Sequence, residues 1–463
     1  MSDQISQVDA YLQRTHGDAV KALIDVLRIP SISTQPDHAD DVKAAAKWTA
    51  DYLSRIGLKA EIWPTAGHPA VFAEMKSPDA NAPTILIYGH DDVQPTGDLS
   101  LWTSPPFEPR VEASGRIVAR GSADNKGQFF LQILAVEAWL KTAGTLPVNV
   151  KFLIEGEEEI GSPNLPALLR DKLDRLRCDL VVVSDTPVWR PGRPAISLGT
   201  RGITGLEVKV TGPNRDLHSG MYGGSVPNPI DALCRMLARL HDEQKQVTVP
   251  GFYDDVKPIP PDLRDEWRRL DPDVHDDARK LECGLSGEVG FNTLERRWLR
   301  PTLEFNGITG GYQGPGSNTI VPSSASAKIT CRLVSDQDAT KIQIALRDYL
   351  QSLAPEGVKV EFILRKMGSP AYSIAAHHPA LQAAARVFKE VYNVDPVRIR
   401  EGVTLPILPA FRSILGADSV LLGFCDPECQ AHSFDEFFDS RDLLLGARTA
   451  ARFFDAISSN HSR

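Results

Sequence analysis

The chain has 463 residues, more than one hydrophobic core usually serves, so two domains are expected. A net charge of −9 leaves no basic footprint for nucleic acid or an anionic membrane surface. The N-terminal stretch MSDQISQVDAYLQRTHGDAV is polar where a secretory signal is apolar, and nothing approaches the ~20 apolar residues of a membrane span, so a cytoplasmic protein is expected.

In chain order, Tyr11–Leu27 and Asp41–Ile56 read as amphipathic helices, the second closing at Gly57. Strands follow at Lys59–Trp63, Ala70–Glu74 and Thr84–Tyr88, and again at Arg116–Ala119. The turn RGSADNKG leads into a helix over Lys126–Lys141, with Phe129, Ile133, Val136 and Leu140 on one face. Val148–Ile154 and Asp179–Ser184 are short apolar runs of the kind buried in a parallel sheet. Near Ser197 the pattern changes. Leu206, Val208 and Val210 alternate with polar residues, a helix follows at Pro229–Leu240, and a charged, Pro-rich piece with no assigned role runs to about Arg300. Thr302–Phe305, Ala325–Leu333 and Val358–Leu364 read as strands around a helix at Asp336–Leu353, giving the order β-α-β-β-α-β. Helix His378–Tyr392, strand Ser419–Gly423 and helix Asp442–Ile457 restore the α/β character. The expected fold is therefore α/β, a mostly parallel helix-covered sheet over 1–196 and 367–463, interrupted by an inserted α+β domain over 197–366.

Three apolar strands end in residue types that bind metals. Thr84–Tyr88 is followed by His90 and Asp92, Val148–Ile154 by the run Glu155, Glu157, Glu158, Glu159, and Asp179–Ser184 by Asp185. Asp124 stands in a turn before a helix and His432 in a loop after the last strand. Each has an ordinary reading alone: a rim histidine, a capping aspartate, a solvated acidic loop. Sites in open α/β sheets form beyond the carboxyl ends of strands, however, and clustered carboxylates there need cations to offset them. Mixed imidazole and carboxylate ligands suit Zn²⁺, Mn²⁺ or Co²⁺. The six cysteines include no CxxC pair, and Cys425 and Cys429 beside His432 match no common zinc spacing, so both read as structural.

YGHDDVQP, GSADNKG, EGEEEIGS, SDTP, DLHSG and AHSFDE occur in an order that resembles the two-zinc metallopeptidases. That family includes carnosinases, cytosolic nonspecific dipeptidases, aminoacylase, bacterial glutamate carboxypeptidase, acetylornithine deacetylase and succinyl-diaminopimelate desuccinylase. The likeness spans nearly the whole chain, and HDDVQP, DNKG and DLHSG are closest to the dipeptidase branch. The resemblance implies that His90 and Asp185 hold one metal ion, Glu159 and His432 a second, and Asp124 bridges them. It makes Glu158 the general base, acting on a water shared by the metals, and Asp92 the acceptor that fixes the tautomer of His90. Glu157 is placed outside the ligand set.

In the inserted domain the resemblance gives His218 the role of stabilising the oxyanion, in the active site of a partner subunit, and Arg332 that of clamping the substrate carboxylate. On the residues alone His218 reads as a surface histidine in a Gly-rich loop, and Arg332 equally as an exposed salt-bridge partner. Thr319 and Thr404 match substrate-contact positions, although Thr404 stands where dipeptidases are expected to carry serine. The implied protein is a homodimeric, binuclear metallo-dipeptidase, acting on short peptides with a free C-terminal carboxylate. The alternative is an N-acyl amino acid amidohydrolase with the same metal chemistry, and a third possibility is a metal-dependent binding protein without catalysis.

Overall fold

The structure is a computed structural model describing residues 3–364 and 368–461, with side chains at 271–275, 277, 460 and 461 left aside. The domain boundary expected at 366/367 lies outside the described residues. The chain forms two compact units, one of Met1–Leu198, Ile374–Ile399 and Ile407–Arg463, the other of Gly199–Ser373 and Arg400–Pro406.

The first unit is built on a sheet whose strands run in the order Lys59–Trp63, Ala70–Met75, Asn149–Glu155, Thr84–His90, Leu180–Val183, Asp418–Leu421 and Ala195–Thr200. Thr84–His90 is parallel to Asn149–Glu155 and Leu180–Val183, and Asp418–Leu421 is parallel to Leu180–Val183. Apolar runs such as LVVV are buried throughout, as strands covered on both faces must be. Register pairs His90 with Glu155, and Val183 with both Tyr88 and Leu421, so four carboxyl ends share one edge.

Two sequence expectations change here. The strand expected to stop at Tyr88 runs on to His90, because its parallel neighbour extends to Glu155 and supplies partners that far. Helix Gly127–Ala143 is buried around most of its girth rather than along one stripe, since it lies between helices Asp3–Leu27 and Ser440–His461. Its tight fit shows at Gly89, where an added Cβ would stand 2.5 Å from Cβ of Phe129.

The second unit holds a four-stranded antiparallel sheet in the order Thr302–Gly310, Ser324–Leu333, Gly202–Thr211, Lys359–Leu364. Helices Pro229–Ala238 and Ala339–Ser352 close one face over Leu206, Val208, Val210, Leu233, Met236 and Leu346. The Pro-rich piece contains helix Pro261–Lys280, where Leu263, Trp267 and Leu270 are buried at helical spacing despite the surrounding charge. No described helix is long and apolar enough to cross a membrane.

Candidate metal centre

The shared strand edge gathers the expected ligands into two clusters. One is His90, Asp124 and Asp185, the other Asp124, Glu159 and His432, with the ligand atoms of each cluster within 4.8 Å of one another. Asp124 belongs to both. His90 Nε2 lies 3.2 Å from Asp124 Oδ1 and 3.9 Å from Asp185 Oδ2. His432 Nε2 lies 2.9 Å from Asp124 Oδ2 and 3.3 Å from Glu159 Oε2.

Several of the candidate ligands are oriented by neighbours. His90 is fully buried, and its Nδ1 stands 3.1 Å from the main-chain carbonyl of Asp92. A carbonyl only accepts, so Nδ1 carries a proton and Nε2 is the nitrogen turned toward the cluster. The acceptor expected for this proton was the Asp92 carboxylate, whose Oδ1 stands farther off at 3.4 Å. That carboxylate is engaged elsewhere, accepting from Ser33 Oγ at 2.6 Å and from the backbone N–H groups of Glu158 at 3.2 Å and Glu159 at 3.1 Å. Glu157 faces away, accepting from His68 N and Asn164 Nδ2, so it pins the loop and stays out of the clusters.

Three supporting residues lie within the quoted motifs YGHDDVQP, GSADNKG and AHSFDE but were given no role from sequence. Asn125 Nδ2 donates to Asp185 Oδ1 at 2.7 Å and fixes that carboxylate. Gln94 Nε2 donates to Glu159 Oε2 at 2.8 Å. Glu436 accepts from Ala123 N and Asp124 N, and from Gly121 N and Arg120 Nη1, holding the Asp124 turn from beneath. His432 has φ 62°, a conformation that non-glycine residues rarely adopt and that recurs where function demands it.

Uncompensated, the charges disturb one another. Burial, then the Asp124 charge, pushes Asp185 up to about 7. Burial also pushes Glu158 well above the usual carboxylate range, with Asp185, Glu159 and Asp124 adding to the effect. Burial resists ionisation of Asp124, but His432 and His90 outweigh it and hold that carboxyl low. His432 rises to about 10 on its contacts with Asp124 and Glu159.

The residues fit divalent cations. Buried His90 Nε2 and Glu159 Oε1 have no hydrogen-bond partner, so each offers a bare lone pair inside a cluster of opposite-charge demand. Glu158 is in neither cluster, and its carboxylate has no partner among the described residues. A cavity of about 200 Å³ opens beside Asp124 and Asp185, walled by Cys425 and Cys429, both buried and unbridged.

The residues expected to touch substrate lie in the second unit. Exposed His218 pairs with Ile320 across a two-residue ladder and accepts Gly220 N–H at its Nδ1. Thr319 is next along, its carbonyl accepting from Ser219 N. Arg332 Nη1 donates to Thr404 Oγ1 at 2.8 Å, so these two, far apart in sequence, meet.

An open α/β sheet with two imidazole–carboxylate clusters sharing one aspartate at its strand ends defines a candidate dinuclear metal centre. The chain belongs to Peptidase family M20/M25/M40, whose profile matches residues 86–456, and is thereby a hydrolase. It is 29% identical to the Beta-Ala-His dipeptidase of Homo sapiens, over 99% of this chain and 93% of that protein. It is 26% identical to the Cys-Gly metallodipeptidase dug1 of Schizosaccharomyces pombe, over 99% of each. Among solved structures it resembles the M20 family metallo-carboxypeptidase Sso-CP2 of Sulfolobus solfataricus, with a TM-score of 0.83 and 32% identity over 95% of this chain and 99% of that one. The likeness to the dipeptidase branch read from the motifs is thus found across the whole chain.

Proposed function

We propose that the protein is a dipeptidase that hydrolyses short peptides with a free C-terminal carboxylate, using two divalent cations, Zn²⁺ first and Mn²⁺ or Co²⁺ as alternatives. In this reading His90 and Asp185 hold one ion, Glu159 and His432 the other, and Asp124 both. When bound, the ions supply the Lewis acidity that makes water nucleophilic near neutral pH. Glu158 takes the proton from the attacking water and delivers it to the leaving amine. Asp92 keeps Glu158 and Glu159 apart in role by fixing the backbone of both. Arg332, steadied by Thr404, receives the substrate carboxylate, and His218 with Thr319 faces the developing oxyanion in the site of a partner subunit. The protein is then a cytoplasmic homodimer joined through its inserted unit, which acts as lid and contact surface.

The observation that carries the proposal is the Glu158 carboxylate, unpartnered yet within the field of His90, Asp185, Glu159 and Asp124. A binding protein has no need of a spare carboxylate beside its ligands. The dipeptidase names of the relatives support the substrate class. The test is a hydrolysis panel on chelator-stripped protein reloaded with Zn²⁺, Mn²⁺ or Co²⁺. Dipeptide turnover restored by metal is expected; turnover of N-acyl amino acids alone would move the substrate to the acylase class.

A further inference from the structure

The second unit gathers more positive charge around Arg332 than one carboxylate requires. Arg332 is opposite Thr302 on one neighbouring strand and Ile203 on the other, so these three side chains share a sheet face. Thr302 also lines a cavity of about 480 Å³ whose wall includes Arg201, Arg297, Glu304 and His241. Arg201 is anchored by its backbone N–H to the carbonyls of Glu401 and Val403, and by Nε to the carbonyl of Gly402 at 3.0 Å. Its two terminal nitrogens have no acceptor among the described residues, and neither has the guanidinium of Arg297. A Cβ placed on Gly402 would meet Arg201 Nη2 at 3.4 Å and the Arg297 main-chain carbonyl at 3.5 Å, so the Arg201 guanidinium and the Arg297 backbone lie beside the loop that carries Thr404.

Glu288 is taken by both arms of Arg300, at 2.7 and 2.6 Å, leaving Glu304 as the carboxylate that offsets Arg201. Burial, then the Arg332 charge, pulls the Arg201 guanidinium down to about 10, with Arg297 adding to the fall. A partly desolvated guanidinium with like charges beside it and two free terminal nitrogens is stabilised when an anion joins it.

We infer that Arg201 and Arg297 form a basic subsite beside Arg332 that binds the side-chain carboxylate of a substrate ending in aspartate or glutamate. The inference rests on the dipeptidase reading, in which Arg332 takes the main-chain carboxylate of the same residue. Arg297 is exposed but Arg201 is partly withdrawn from water, so a neutral isostere leaves the terminal nitrogens of Arg201 unpaired, and sites built to bond a polar group discriminate strongly against substrates lacking it.

The test compares kcat/KM for Ala-Glu with that for Ala-Gln. A preference for Ala-Glu of about tenfold or more is expected from charge-assisted hydrogen bonds. In Arg297→Gln the ratio falls toward one, with the change in KM rather than kcat. A native ratio near one, or a ratio that Arg297→Gln leaves unchanged, overturns the subsite while leaving the dipeptidase reading intact. If neither dipeptide is hydrolysed, the wider panel judges the dipeptidase reading, and calorimetric titration with L-glutamate against L-glutamine judges the subsite separately. Tighter binding of glutamate that Arg297→Gln abolishes supports it; equal affinities overturn it.

Discussion

The carboxylate of Asp92 accepts the backbone N–H of Glu159 at 3.1 Å, while the main-chain carbonyl of the same residue faces His90 Nδ1. One residue thus orients a candidate ligand from each cluster. Asp92→Asn keeps the carbonyl but swaps one acceptor oxygen for a donor, setting N–H against N–H. Metal affinity should fall by about 10–100-fold, the usual effect of losing an orienting partner. Competition titration against a metal-chelating dye measures it, and an unchanged affinity would refute the orienting role.

Glu158→Gln separates proton transfer from metal binding. The amide keeps the size of the side chain but cannot act as a base. We expect kcat to drop by about 10²–10⁴-fold, the typical worth of a positioned general base. Metal content, read by elemental analysis, should stay at the native level. Retained activity would remove Glu158 from the reaction.

Glu436 and Arg120 form a buried pair, 2.8 Å apart, beneath the Asp124 turn. Glu436→Ala leaves the Arg120 charge and three backbone N–H groups unpaired, so urea unfolding should show a loss of about 3–5 kcal/mol. The double variant Arg120→Met, Glu436→Gln should lose less than the sum of its single changes. Additive losses would mean the pair is not coupled.

Asp442 gives a pH dependence independent of the candidate ligands. Burial, then the Asp439 charge, raises its carboxyl to about 7. The folded chain therefore holds this proton where the unfolded chain has released it. Its contribution to stability is fully present below the ordinary aspartate pKa and is lost as pH rises toward 7. Asp442→Asn, which mimics the protonated form, should match the native protein near pH 4 and exceed it above pH 7 by on the order of 3 kcal/mol. Urea unfolding at several pH values measures the gap, and a gap that does not widen with pH would contradict the shift.

Mixing inactive Glu158→Gln subunits with inactive His218→Ala subunits tests assembly. If His218 of the partner subunit serves each site, mixed dimers contain one intact site and recover part of the activity. Failure to recover activity after subunit exchange, verified by sedimentation, would confine His218 to its own subunit or exclude it from the reaction.

The ligand candidates were legible because apolar strands announce where they end: His90 is the last residue of one strand, and Glu159 and Asp185 stand just past the ends of two others. Their supports were not. Glu436 reaches Asp124 across 312 positions and Asn125 reaches Asp185 across 60, separations that only the folded sheet closes. Lys126 in the motif GSADNKG is buried and donates to the carbonyls of Val26 and Ile29, about a hundred positions away. Helix Pro261–Lys280 escaped notice because charge and proline at its start masked the 263, 267, 270 spacing. Thr404 was read as a substrate contact from its motif, but its bond to Arg332 spans 72 positions and needed the fold to appear.

Asp124 offers one oxygen to His90 and the other to His432, so neither half of the centre owns it. If the proposed ions bind, their occupancies are linked: seating the first orients a carboxylate, already held ionised, that the second also needs. Loading should be cooperative, with singly filled protein scarce at every metal concentration. A preparation short of metal would then be a mixture of active and empty molecules rather than a uniform population of half-active ones.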